Sequence, residues 1–408
     1  MNMSNIHCYN EGQEVPNILP ITLEKRDTQF KDTNQGEMET LNFSGIIMEE
    51  DQIFVSFPKH YSGNNTNILD DIQLLFKTIM KHRQENAKLY LTKSVNLKTN
   101  FPFTPFFDIY TYYQKYGIYN EEFTEITSGY NGQISWKDTI KNSNKVVSNK
   151  GLMFLPFSIK NKSKKDVLIS ECMAYAIDYT IEKFSLFIQL PKVGGNSLQK
   201  NLNENRHYII RELYNAKKNT FKDIHRQLIS NLILFFEDLP SGGTYYLKHY
   251  TFSSIWEKIV EHYLNYHFEK IAFGELIFKN NLNYHNQFTK HVFHPNILNE
   301  KQNIQPDHYF YKNGEQYIFD AKYYNKLDGI DYKQLAYYFI LKNYSEKRSL
   351  DFVKKHKITH NALLLPGDKQ QKIHFKFKPE YNPEESNFII YEYYLNVKKG
   401  MESYLYRQ

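Results

Sequence analysis

The residues whose types and spacing could do chemistry are Asp307, Asp320 and Lys322, in the stretch IQPDHYFYKNGEQYIFDAKYY. Asn313-Gly314 marks a two-residue type I′ turn, because both central positions need positive φ and these two residue types tolerate it. The flanks YFYK and EQYIF are aromatic and β-branched enough to be strands. With Lys312 facing Glu315, the register carries outward until Asp307 lies opposite Asp320. Facing residues share one side of a sheet, with Cβ atoms roughly 4.5–5.5 Å apart. Alternation along the strand turns Lys322 to that same side and Ala321 to the other. Two bare carboxylates so close repel each other unless a cation sits between them. Mg²⁺ suits hard oxygen ligands and commonly binds through one or two carboxylates plus phosphate and water. A lysine beside it could position or deprotonate the attacking water, or stabilise charge growing on a phosphate. Such a set suits phosphodiester hydrolysis.

A Pro-Asp, a dozen residues and then Asp-Ala-Lys resembles the core of the PD-(D/E)xK nucleases. More narrowly, the helix carrying Trp256-Glu257-Lys258, the Ile-Gln-Pro-Asp strand, Phe-Asp-Ala-Lys-Tyr-Tyr and the following Tyr-Lys-Gln-Leu-Ala-Tyr-Tyr helix resemble the LlaJI-type restriction endonucleases and the related McrC nuclease subunits. The resemblance covers roughly residues 250 to 400. It implies Asp307 and Asp320 as ligands of Mg²⁺, Lys322 as the catalytic lysine, and Glu257 and Gln334 in the supporting acidic and glutamine positions. It also implies double-stranded DNA as substrate, a role in defence against foreign DNA as a type II restriction endonuclease, and assembly as a homo-oligomer on DNA. An McrC-like subunit that waits on a separate McrB-like NTPase is the alternative within the same resemblance. A non-catalytic DNA-binding module is the alternative of another class; a missing acid or lysine would be its mark, and none is missing.

The residues themselves leave other readings open. Ser254-Ile-Trp-Glu257 is a capping-box pattern, so Glu257 could simply tie down its helix, with Glu261 one turn on as substitute. Gln334 could be an ordinary surface residue, with Lys333 as an alternative phosphate contact, and Lys322 could be only a surface ion pair with Asp320. His285, His291 and His294 lack acidic or cysteine partners at metal-ligand spacing.

Around this stretch the chain has 408 residues, enough for two or three domains. A hydrophobic fraction of 41% allows full cores, and the net charge of +6 suits an acidic polymer as partner. Two cysteines without ligand spacing give neither a disulfide framework nor a zinc site. No leader pattern opens the sequence and no run approaches the ~18 apolar residues of a membrane span, so the expectation is a cytoplasmic protein without membrane contact. No P-loop occurs, so a motor would have to be a separate polypeptide.

In chain order, residues 1 to about 40 read as loop and 41–58 as a hairpin around Glu49-Glu50-Asp51. Residues 70–89 carry the apolar stripe of an amphipathic helix. Residues 101–157 read as two short helices with a basic connection, a candidate helix-turn-helix or winged-helix reader. There Ser135 caps the second helix, Trp136 and Ile140 pack inward, and Lys137, Lys141 and Lys145 contact DNA. Residues 160–166 read as a basic loop, 167–189 as buried, and 207–239 as one or two helices. The boundary falls at the Gly-Gly break in 239–246. Ser254 is expected to cap the next helix, whose stripe is Ile255, Ile259, Tyr263 and Tyr266. Asp328 or Asp331 is expected to cap the helix after the hairpin, in which Leu335, Tyr338 and Phe339 face the core, and Ala362–Leu365 and Phe388–Val397 to extend the sheet. The expected fold is α/β: a PD-(D/E)xK restriction-endonuclease-like C-terminal domain with a mixed sheet at 245–408, preceded by an α+β N-terminal region at 1–244 for DNA recognition or partner contact.

Overall fold

A computed structural model of the chain describes residues 5–33, 36–63, 67–86, 96–149, 151–165, 167–194, 202–279, 286–324, 327, 329–342, 344, 358–382 and 388–406. His285 and Asp328 lie outside them. The chain divides into two compact units, Met1–Thr99 with Gly242–Gln408, and Asn100–Ser241. The Gly-Gly break is thus one edge of a unit. The division expected at 244/245 differs in that the first 99 residues pack with the C-terminal part.

The discontinuous unit is mixed α/β and holds two five-stranded mixed sheets. In the first, the hairpin Ser44–Glu49/Gln52–Phe57 forms where expected, with Glu50 in the turn at φ 50°. The strand Ile6–Asn10 adds in parallel to one edge of that hairpin, and Tyr245–His249 adds antiparallel to the other. The latter strand joins chain segments almost two hundred residues apart, and it leads straight into the helix Phe252–His267. The segment expected to be loop contains the paired strands Thr28–Thr33 and Gly36–Leu41. Their polar composition hides the pairing, since few of their side chains are buried.

The second sheet carries the acidic hairpin. Its order is His308–Lys312, Glu315–Ala321, Ile358–Pro366, Ile389–Leu395 and Lys372–Lys376. The middle pairings are parallel and both edge pairings antiparallel. Ile358–Pro366 is buried along most of its length, as a parallel strand covered on both faces should be. Ile318 on one face packs with Tyr337 and Leu341 of the helix Tyr332–Leu341. Phe319 on the other packs with Phe268 and Phe288, just beyond the helix Phe252–His267. In the Tyr332–Leu341 helix Leu335 and Tyr338 pack inward as expected, but Phe339 is 45% exposed and Tyr337 takes the buried position.

Unit Asn100–Ser241 is built on the helices Phe103–Tyr116, Leu168–Lys183, Leu202–Asn219 and Asp223–Asp238. Their core is aromatic: Phe101, Phe103, Phe106, Phe184, Phe235 and Phe236 are all buried. Residues 101–157 do not fold as a helix-turn-helix. Between Phe103–Tyr116 and the short helix Trp136–Asn142 runs the strand Glu121–Gly129, paired along its length with Phe157–Lys165. That second strand takes up the expected basic loop, and Asn144–Ser148 with Gly151–Leu155 forms a further hairpin. Trp136 and Ile140 are exposed at 57% and 50%, not packed inward. No described helix is long and apolar enough to cross a membrane.

The join between Ser44–Glu49 and Tyr245–His249 rests on Gly45, where a Cβ would run into the Leu247 carbonyl oxygen. Backbone cannot yield as a side chain can. Gly45→Ala should therefore destabilise the protein by about 2–3 kcal/mol, seen as a lower urea midpoint; an unchanged midpoint would refute this account of the join.

Candidate active site

The turn at Asn313-Gly314 has φ of 53° and 85°. Pairing runs from Lys312↔Glu315 to His308↔Phe319, and one step further places Asp307 across from Asp320. Asp307 Oδ2 accepts from the backbone N–H of Ala321 at 3.3 Å. The two carboxyl groups also hydrogen-bond each other, which requires a proton between them. Burial pushes Asp307 up to about 7, with the bond and negative charge of Asp320 adding to it and Glu257 contributing more. Burial opposes ionisation of Asp320 too, but the bond from Asp307 and the Lys322 ammonium outweigh it and hold Asp320 below its ordinary range. The two carboxyls hold one proton between them, and its loss belongs to the pair rather than to either residue.

Lys322 is clamped. Its ammonium contacts the carboxylates of Asp320 and Asp331, the latter at 3.0 Å. Burial alone would lower its pKa, but these two acids raise it above the ordinary lysine value. Lys322 is therefore a fixed cation, suited to placing a water or answering phosphate charge and unsuited to removing a proton. Asp331 is also the N-cap of Tyr332–Leu341, accepting from the Gln334 backbone N–H at 3.0 Å. One carboxylate thus starts the helix and holds the lysine. Sequence reasoning reaches Asp331 only as a cap, since its contact with Lys322 depends on how the helix packs on the sheet.

The next residue, Tyr323, anchors the end of the same strand. Its hydroxyl donates to Glu11 at 3.0 Å and accepts from the Lys59 N–H at 2.8 Å. Glu11 in turn accepts from Ser44 at 2.7 Å. The first sheet and its flanking turn therefore fix where Lys322 stands.

Glu257 is not a capping residue. Its helix begins at Phe252 behind Thr251, and the expected cap Ser254 donates instead to the Thr251 carbonyl. Glu257 lies 3.5 Å from the Lys290 ammonium, which is also 3.8 Å from Asp307 Oδ1. No sequence signal marks Lys290, because a bridge between Thr289 and Tyr309 brings it beside the hairpin from a separate segment. Glu261 pairs with Lys258 instead. Gln334 is fully buried, and neither its amide oxygen nor its nitrogen has a partner among the described residues; Lys333 is exposed. His308 is buried with both ring nitrogens likewise unpartnered, and burial lowers its pKa to about 3. His291 lies tilted against Phe293 and Tyr309, and His294 faces the Glu300 carbonyl.

Lys137, Lys141 and Lys145 lie in the other unit and are exposed. The first two are one turn apart on Trp136–Asn142, and Lys145 stands on the strand Asn144–Ser148. Ser135 precedes the helix and bonds the Asp138 carboxylate rather than a backbone N–H.

The donor set fits a hard divalent cation in one respect: Asp307 and Asp320 face each other, and the Lys322 and Lys290 ammoniums beside them do not suffice to keep both ionised. Among the described residues no group of three or more His, Cys, Asp or Glu forms a metal cage. A cation held here would rest on the pair, water and substrate oxygen, which is how Mg²⁺ is commonly bound.

The mixed α/β fold thus carries an acid pair, Asp320 buried and Asp307 partly so, with a clamped lysine on one hairpin. The family is given by sequence: the chain belongs to the LlaJI restriction endonuclease family, whose model matches residues 43–381. No curated protein sequence matches it. Among solved structures it is similar to a chain of the tetradecameric assembly of Thermococcus gammatolerans McrB AAA+ hexamers with bound McrC, at 12% identity, over 92% of this chain and 84% of that one, with TM-score 0.39. A chain of the Thermococcus gammatolerans McrBC complex matches at 12% identity over 58% and 70%, with TM-score 0.17.

The proton on Asp307 makes a testable sign. In the unfolded chain this carboxyl titrates near its ordinary value of about 4, whereas in the fold it titrates near 7. Between those values the folded state holds a proton that the unfolded chain has released, so this contribution to stability is present below pH ~4 and lost as pH rises through ~7. Buried histidines shifted down, His82, His249 and His308 among them, act in the opposite sense below pH ~6.5, so the sign is read as a difference: with a chelator present, the melting temperature of the parent relative to Asp307→Asn should fall from pH 5 to pH 8. Asp320, shifted the other way, acts only below its ordinary range. An equal slope in parent and variant would remove Asp307 as its source.

Proposed function

We propose that this chain is the Mg²⁺-dependent endonuclease of a restriction system, hydrolysing phosphodiester bonds of double-stranded DNA with a PD-(D/E)xK site and acting at defined sequences, as type II enzymes do. The single observation that carries this reading is the facing pair Asp307 and Asp320 with Lys322 fixed beside it on the same strand. Membership of a restriction endonuclease family supports it.

In this reading Asp307 and Asp320 hold the cation. When bound, Mg²⁺ supplies positive charge that favours a nucleophilic hydroxide and steadies the pentavalent phosphate. Asp307 would hold the cation as carboxylate, its proton passing to solvent. Lys322, kept as ammonium by Asp320 and Asp331, orients the attacking water and answers charge on a non-bridging phosphate oxygen. The unpartnered Gln334 amide orients the lysine or the scissile phosphate, and Glu257 holds water at the edge of the site. Lys137, Lys141 and Lys145 contact backbone phosphates.

Single-turnover cleavage of duplex DNA by the purified chain, without added nucleotide and with ends mapped, tests the reading. Asp320→Asn should abolish cutting. Lys322→Ala and Lys322→Arg should still bind DNA but cut about a hundredfold slower or worse, since guanidinium is larger and planar and does not fit a clamp built for ammonium. Near-normal cutting by Lys322→Arg would reduce Lys322 to an ion pair, and undiminished cutting by Asp320→Asn would refute the site. Replacing Lys137, Lys141 and Lys145 with Gln should reduce the slope of log affinity against log salt by about 0.9 for each backbone phosphate these lysines neutralise; an unchanged slope would make that surface something other than a DNA-binding face.

A further inference from the structure

We propose that Lys290 is a built-in placeholder for the metal: its ammonium stands against Asp307 Oδ1 with Glu257 on its other side, and cation binding to the Asp307–Asp320 pair frees it to meet a substrate phosphate. The proposal rests on the reading of Asp307 and Asp320 as metal ligands.

Three observations carry it. Lys290 lies within 3.5 Å of Glu257 and 3.8 Å of Asp307 Oδ1, so it touches one member of the acid pair on the side that Ala321 leaves open. Its backbone is held by the reciprocal hydrogen bonds of Thr289 and Tyr309, at 3.1 and 2.9 Å, so the ammonium returns to this place rather than sampling the surface at large. Its side chain is 47% exposed, unlike that of Lys322 at 11%, so it can swing into solvent without leaving a void. The two lysines differ accordingly. Lys322 contacts the buried Asp320 and the partly buried Asp331 closely and stays; Lys290 stands 3.5 Å from a half-exposed acid and 3.8 Å from Asp307 Oδ1 and can leave.

A cation on Asp307 cannot share Oδ1 with an ammonium at close range, because like charges there repel. Lys290 and the metal therefore compete for Asp307 while DNA is absent. Once displaced, the ammonium lies at the mouth of the site with Asp307 already taken by the metal, and a phosphodiester oxygen is the anion that arrives there.

Mn²⁺ titration of the full chain without DNA, followed by electron paramagnetic resonance, reads the competition directly. Lys290→Met and Lys290→Gln should bind Mn²⁺ about tenfold more tightly than the parent, the size expected for removing one nearby positive charge, and Lys290→Arg should stay near the parent. The same Met variant should bind a short DNA duplex several-fold more weakly than the parent in Ca²⁺ and equally well in chelator. Unchanged or weaker Mn²⁺ binding in both neutral variants would overturn the placeholder, and an equal DNA deficit with and without Ca²⁺ would overturn the release. Asp320→Asn separates the two levels: Mn²⁺ binding undiminished by that change, or absent from the parent, overturns the metal reading itself and this proposal with it.

Discussion

Two carboxylates turned to one side of a sheet across a two-residue turn cannot both carry charge in a buried place without a positive partner, and the rest of the site is arranged around that repulsion. The turn leaves no slack. Asn313 and Gly314 both sit at positive φ, and the pairing that follows from them is regular as far as His308↔Phe319. A slip of one residue would send Asp307 to the opposite face and dissolve the pair. The adjacent parallel strand Ile358–Pro366 then buries Asp320 to 3% exposure, which removes the water that would otherwise screen it. Geometry makes the repulsion and packing keeps it.

The positive partners come from different distances in the chain. Lys322 is on the same strand as Asp320, and its second acid is the cap of the next helix. Lys290 comes from a segment bridged to the hairpin's outer edge, and Glu257 from a helix that precedes it. Tyr323 ties the end of the central strand to Glu11 and Lys59, residues from the start of the chain. The site therefore needs both parts of the discontinuous unit, since the first sheet anchors the residue next to the lysine.

How much of this can be read from residues follows from the range of the forces involved. The hairpin is legible because turn chemistry and two-residue alternation are local, and the same holds for the amphipathic helix Ile68–Glu85 and the apolar strand Ile358–Pro366. Asp331 and Lys290 are not legible in their site contacts, because those contacts are set by how a helix and a separate segment pack on the sheet. The polar strands Thr28–Thr33 and Phe157–Lys165 read as loops because they bury little, so no apolar period marks them. Trp136 and Ile140 mislead for a related reason: helical spacing predicts a shared face but not whether anything covers it. The discontinuity of the larger unit is hidden too, since nothing local in Tyr245–His249 tells which strand it will join.

Counting formal charges carries the electrostatics of the site one step further. Around the hairpin stand four acids, Glu257, Asp307, Asp320 and Asp331, and two ammonium groups, Lys290 and Lys322. With both ammoniums present and every acid ionised, two negative charges remain unanswered. The proton on Asp307 answers one of them, which is why burial and Asp320 together can hold that proton near neutral pH. A divalent cation would answer both at once, so its arrival and the departure of the Asp307 proton would be electrostatically one exchange. With Lys290 still counted in it, the cluster would then be neutral before substrate enters. Of the cations in this count, Lys322 is held close by two acids, whereas the half-exposed Lys290 stands off at 3.5 and 3.8 Å from its two.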